Sequence, residues 1–275
     1  MGLLDLFDEA FDLYNANFVL FTLITGLVYV PVVGIGSYFA QPFVHGLITS
    51  GSNGFSQLFS AVQADLGWVA MVTAIYALSF SLMLTALVVA ASARYLDEPM
   101  TVLKAYQNAA PITIPIAALL VIYYVGMIVG FSACVVPGLL IMLLGIPLQT
   151  FIHVMVNENM SQMVRPLTRA WNLAKTEGGF LLGGNIMLTV FWSGLLSVSL
   201  AAVDFVVSHI VNSAVPILPI LAIHKDVVDT IASELSWMLL LPFQVCVITM
   251  FYFQLRISKE GYDMEILARS LGHQP

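Results

Sequence analysis

The residues of this chain that could do chemistry are few, and most stand beside or inside apolar runs. Asp204, His209, Asp229 and Glu234, with His224, Lys225 and Asp226 among them, gather around the junction of the last two runs. Carboxylates and imidazoles together suit a divalent cation. The spacing does not build such a site. No His-x-x-x-His or Glu-x-x-His pair occurs there, and Asp229 and Glu234 stand about 500° apart around a helix, on different faces. His153 is the histidine deepest in an apolar run, with Gln149 one helical turn before it on the same face. A proton relay needs a carboxylate at similar depth, and the nearest, Glu158, falls at the end of the run. His153 and Gln149 therefore read as interhelical hydrogen-bonding groups, with Gln244 or Asn185 as their partners. No nucleotide-binding loop, nucleophile elbow, zinc-protease motif or haem motif occurs. The expectation is no enzyme, no cofactor and no metal centre.

The elements that must position these residues follow from composition. Of 275 residues, 60% are hydrophobic and 9% are charged, against roughly 45–50% and 25% in a soluble domain. That excludes a soluble globular enzyme and a disordered chain. Nine Lys and Arg against sixteen Asp and Glu leave no basic footprint for nucleic acid. What remains is an all-α polytopic membrane protein. A span needs about 20 mostly apolar residues, and the runs near 17–40, 67–93, 111–133, 135–157, 180–208 and 228–255 qualify. The third and fourth join tightly at Ala133 to Val136, with Pro137 and Gly138 opening the fourth, where a missing N–H costs little.

Basic residues orient such a bundle. Arg94 and Lys104, then Arg165, Arg169 and Lys175, then Arg256, Lys259 and Arg269 make eight on one side, with Lys225 alone on the other. The partition predicts six transmembrane helices with both termini cytoplasmic, in a prokaryotic inner membrane. The whole chain reads as one membrane domain: 1–16 an amphipathic helix, 17–255 the bundle, 256–275 an inner tail. The acid-rich, base-free N-terminus does not read as a cleavable signal peptide. Cys134 and Cys246 are expected near opposite faces, as unpaired apolar residues.

Two inner segments are amphipathic. In 1–16, Leu3, Leu4, Phe7, Phe11 and Tyr14 recur at helical spacing, as do Leu6, Ala10 and Leu13, while Asp5, Asp8, Glu9 and Asp12 form the opposite face. An acidic face gains nothing from anionic headgroups. It is expected to dock on the basic stretches 165–175 or 256–269, with a solvated face as the alternative. In 158–179, Met163, Leu167, Ala170, Trp171 and Ala174 share one face and Arg165, Arg169, Asn172 and Thr176 the other, with Gly178 and Gly179 as the stop. Lys104-Ala105-Tyr106 and Arg169-Ala170-Trp171 sit on corresponding inner segments, and 262–271 is a third, which hints at a parallel repeat. Ala86/Ala90, Gly126/Gly130 and Gly179/Gly183 are small-residue pairs that let helices approach closely. Pro31 and Pro242 fall inside the first and last runs, where they could kink the helix.

Certain pieces resemble a known family. Val135-Val136-Pro137-Gly138 opens a run that Glu158 closes, and Pro166, Arg169, Ala170 and Trp171 follow. The stretch Leu6-Phe7-Asp8-Glu9-Ala10-Phe11-Asp12-Leu13-Tyr14 precedes the first run. Tyr252-Phe253-Gln254-Leu255-Arg256-Ile257 and Glu260-Gly261-Tyr262-Asp263 end the last. The chain is similar in these to the six-helix membrane domain of membrane-anchored glycerophosphodiester phosphodiesterases and to YciC-like inner-membrane proteins. The resemblance implies a six-helix domain with no established reaction. Hydrolysis in those phosphodiesterases belongs to a separate soluble domain with no counterpart here. The functional expectation is a non-enzymatic scaffold or accessory subunit that contacts membrane lipids and a protein partner or a second copy of itself. The alternative is a small transporter, channel or lipid-handling protein whose path runs through the bundle core.

Overall fold

The computed structural model describes residues 3–32, 66–133, 136–137, 150–158, 164–175, 202, 205–206, 209 and 225–261. Its regular structure, among these residues, is entirely helical. Seven helices follow in order: α1 (Leu3–Ala16), α2 (Phe18–Val32), α3 (Leu66–Tyr95), α4 (Val102–Ala133), α5 (150–157), α6 (Val164–Lys175) and α7 (Lys225–Glu260). Three contain stretches long and apolar enough to cross a membrane: Thr73–Tyr95, Val102–Gly126 and Trp237–Ile257. The α1–α2 pair passes the same test only if taken as one span bent by 76°. The run 180–208 lies outside the described residues except for single positions.

The bend has a local cause. Asn17 breaks the regular helix, its N–H falling back on the Tyr14 carbonyl at 3.2 Å and its side-chain amide donating to the Leu13 carbonyl at 3.0 Å. Its own carbonyl accepts from Phe21 N–H and restarts the helix. Side-chain amides that compete for backbone acceptors in this way favour helix ends. Leu6, Ala10 and Tyr14, four residues apart, are the buried stripe of α1, and α1 packs chiefly along α7. Phe11 and Tyr14 meet Phe243 edge-on at 6.1 and 5.8 Å, and the Tyr14 hydroxyl donates to the Leu239 carbonyl at 3.0 Å. The Leu6–Ala10–Tyr14 stripe of α1 is thus covered by protein, while Phe11 on the same apolar face is 53% exposed.

α3 and α4 form an antiparallel hairpin. α3 ends in a Schellman motif. Asp97 takes the left-handed conformation at φ 57°, Glu98 N–H reaches back to the Ala93 carbonyl at 2.8 Å, and Asp97 N–H reaches Arg94. The Arg94 guanidinium braces the turn by donating to the Met100 carbonyl. Thr101 then caps α4, its hydroxyl accepting from Lys104 N–H at 3.4 Å. Across the hairpin, Ser81 donates to the Thr113 carbonyl. Tyr106 donates to the Ile24 carbonyl at 2.5 Å and pins α2 to α4.

The core centres on α3. Every residue from Thr85 to Ala93 is buried, so the helix is enclosed on all sides for more than two turns. Such enclosure needs neighbours at short range, and Ala86, Ala90, Ala91 and Ala93 supply the room. Ala105 and Ala109 answer them from α4, both without exposure.

Some expectations are corrected. The stretch 94–110 is not a loop with its own amphipathic segment: only residues 96–101 lie between α3 and α4, and Lys104 to Ala110 already belong to α4. Pro111 and Pro115 lie inside α4 and Pro242 inside α7, and neither helix is ended by them. Each proline removes one backbone donor, a local loss that the packed neighbours outweigh. A sharp bend of 76° lies at Asn17, between α1 and α2. Pro31 lies in the last described turn of α2.

Candidate functional site

A continuous polar junction forms where α3, α5 and α7 end and α6 lies beside them. α5 is buried from Thr150 to Met155, so its polar groups need partners. His153 has one in Thr249 of α7, Nε2 to Oγ1 at 2.9 Å, and its ring lies 5.5 Å from that of Tyr252. The Thr249 hydroxyl donates its own proton to the Val245 carbonyl at 2.7 Å. It therefore accepts from His153, which assigns the imidazole proton to Nε2 by hydrogen-bond logic. Asn157 follows one turn later. Its amide donates to the His153 carbonyl at 2.9 Å and to the Ser92 hydroxyl of α3 at 3.1 Å.

The charged part begins at Glu158. Arg169 of α6 donates from Nε to both Glu158 oxygens at 3.2 and 3.1 Å, and Tyr252 reaches one of them at 3.4 Å. The other end of the same guanidinium meets Glu260 of α7 at 2.5 Å, and Arg256 meets Glu260 at 3.3 Å. Partial burial works against the charge on Arg169. The hydrogen bonds and negative charges of Glu158 and Glu260 outweigh it and raise the guanidinium pKa. Two acids and two bases sum to zero charge. A fork-shaped guanidinium between two carboxylates fixes both distance and orientation. Chemically, the junction can clamp α6 to α5 and α7. Its hydroxyl–imidazole pair, Thr249 and His153, is buried, and the hydroxyl proton is committed to the Val245 carbonyl.

The faces of α6 differ from those expected. Pro166, Ala170 and Leu173 are its buried stripe, and Arg169 turns toward the bundle. Val164, Leu167 and Trp171 are exposed. The suggested repeat is uneven at this level. Ala105 and Ala170 are both buried, but Lys104 is exposed where Arg169 is clamped. Tyr106 bonds another helix where Trp171 stands open.

The residues singled out from sequence are distributed as follows. His153 lies in the junction, but beside Thr249 and Tyr252. Gln244 is half-buried on α7, just over a turn before Thr249. Gln149 and Asn185 lie outside the described residues. His209 is exposed and stacks on Phe205 with ring centroids 6.3 Å apart. Asp229 and Glu234 are in the first turns of α7, and Asp204 lies outside the described residues. Among the described residues, no three His, Cys, Asp or Glu groups converge as metal ligands. Asp5, Asp8, Glu9 and Asp12 stand exposed on α1, while Arg169 and Arg256 engage Glu158 and Glu260. Thr249, Asn157, Ser92 and Tyr252 were missed. A threonine in an apolar run ordinarily bonds its own helix, so nothing in its spacing advertises a second partner.

Comparison with protein-family models, curated proteins and solved structures finds no match for this chain.

His153→Leu tests whether this imidazole is structural glue. The expected cost is about 1 kcal/mol, since one interhelical hydrogen bond is lost and Thr249 keeps its bond to Val245. A thermal unfolding midpoint measured alongside Thr249→Val and the double variant checks it. The two single effects should overlap rather than add.

Proposed function

We propose that this protein is a six-span scaffold or accessory subunit of a prokaryotic inner membrane, with both termini cytoplasmic. Its role is to hold α1 and α6 at the inner face for a protein partner, without catalysing a reaction. One observation carries this reading: Arg169 is clamped between Glu158 and Glu260, so an amphipathic helix is locked to the ends of two others by a charge-balanced joint. Such a joint positions a surface and leaves no charge over for a substrate. The eight-to-one placement of basic residues and the resemblance to the six-helix membrane domain support the topology. The exposed acids of α1 supply a face for a basic partner.

A second reading, lipid handling, has one observation in its favour. The N-terminal half of α3 and the C-terminal half of α4 enclose a side-open groove of about 360 Å³, lined by apolar surface from residues including Tyr76, Phe80, Leu120 and Tyr124.

Native mass spectrometry of the full chain, extracted in native-lipid particles, separates the two. The scaffold reading expects a protein at fixed stoichiometry that is lost when Asp8, Glu9 and Asp12 are replaced by Lys. A lone chain that retains a defined lipid would replace it with the second reading.

A further inference from the structure

α6 meets three different surroundings around one helix. At about 100° per residue, Leu173, Pro166 and Ala170 fall together on the stripe that the bundle buries. Leu167, Trp171 and Val164 cluster within about 60° of one another, and all three are exposed, at 41%, 46% and 75%. Thr168, Asn172 and Arg165 complete the circle, also exposed. A helix with one face on protein needs no second apolar stripe if water covers the rest. Two apolar stripes separated by a polar one fit a helix that has protein on one side, acyl chains on another and headgroups on the third.

The charges specify the headgroup. α6 contains Arg165, Arg169 and Lys175 and no acid. Arg169 is neutralised by Glu158 and Glu260, whereas Arg165 is exposed on the polar stripe, about 130° around the helix from the centre of the exposed apolar cluster. Trp171 has the amphipathic ring that settles at the membrane interface. Asp5, Asp8, Glu9 and Asp12 make the exposed face of α1 opposite in character, so the two inner-face helices cannot serve one and the same surface.

We propose that the exposed Val164–Leu167–Trp171 face of α6, with Arg165 on the adjoining polar stripe, is a docking surface for the anionic lipids of the inner leaflet. The Arg169 clamp holds that face at the depth where acyl chains meet headgroups. The proposal rests on the membrane placement above but not on the existence of a protein partner, so it stands or falls by a separate readout.

The test uses the full-length protein in vesicles of phosphatidylcholine containing phosphatidylglycerol, with one lipid or the other brominated near the carboxyl end of its chains. The difference between wild type and Trp171→Phe isolates the fluorescence of Trp171, whose exposure makes that variant mild. The expected result is quenching of Trp171 by both brominated lipids, with roughly a twofold excess for phosphatidylglycerol at low salt. Arg165→Gln should remove much of that excess, and high salt should do the same. Trp171 quenched by aqueous iodide but not by brominated lipid would overturn the proposal. So would equal quenching by the two lipids, or an excess unchanged in Arg165→Gln. A photocrosslinker at position 164 that captures a protein at stoichiometric yield in native membranes would assign the face to a protein and overturn it as well.

Discussion

Replacing Arg169 by alanine is expected to destabilise the protein by about 2 kcal/mol, between the roughly 0–1 kcal/mol of an exposed pair and the 3–5 kcal/mol of a fully buried one. The intermediate value follows from the surroundings. The Arg169 side chain is 35% exposed, but Glu158 is only 12% exposed and Glu260 25%. Without the guanidinium, two poorly hydrated carboxylates lose the cation between them, and Glu260 retains Arg256 alone. The midpoint should fall by about 5 °C. Cys246 offers a readout, because its thiol is fully buried in α7 and becomes reactive to a fluorogenic maleimide only on unfolding, in a Cys134→Ala background. Arg169→Lys should recover less than half of the loss, since an ammonium cannot bridge two carboxylates as a planar fork does. In a Glu158→Gln background the cost of Arg169→Ala should shrink, because the partner is already neutral. An Arg169→Ala protein as stable as wild type would remove the clamp from the argument, and with it the support for the scaffold reading.

The larger effect is expected from Ala86→Leu combined with Ala90→Leu. Both alanines have no exposed surface and lie in the Thr85–Ala93 stretch of α3 that is enclosed on every side. Each added isobutyl group must push a neighbouring helix away, at about 1–3 kcal/mol apiece. The pair should therefore cost about 4 kcal/mol, and more if the displaced helix also loses the Ser92–Asn157 bond. The chain should extract poorly and run as a broad, aggregated species in size-exclusion chromatography. Ala118→Leu is the matched control, because Ala118 is exposed on α4 and the same added volume there enters open space. If the double variant were as monodisperse and as heat-stable as Ala118→Leu, α3 would not be the tightly packed hub described above.

Much of the architecture is legible in the residue pattern, for definable reasons. A long run of apolar residues with almost no charge has one way to satisfy its backbone in lipid, and α3, α4 and α7 are such runs. α1 is legible because its apolar residues recur at helical spacing and its acids fall on the other face. The helix boundaries were less so. The apolar runs 67–93 and 111–133 leave 94–110 between them as a loop, yet the Schellman turn at Asp97 and the cap at Thr101 close the connection within six residues. The polar residues follow the same division. His153 was marked because a histidine deep in an apolar run needs a partner. Which partner it has depends on the relative rotation and depth of α5 and α7, and no local spacing encodes that.

The sequence by itself determined the class of protein, the helical spans now seen as α3, α4 and α7, and the amphipathic character of α1 and α6. These are set by local quantities: length, hydropathy and periodicity. Only the tertiary structure decided that α1 lies along α7 and bends away at Asn17, and that Ala105 and Ala109 pack where α3 is enclosed. It also decided that Arg169 turns inward between Glu158 and Glu260, leaving Leu167 and Trp171 outside. The physical reason is the same in each case. An apolar stripe or a lone charge states what it must be shielded from or paired with, but several neighbours can meet that demand equally well. The choice among them is made by helix rotation and close packing over residues far apart in the chain.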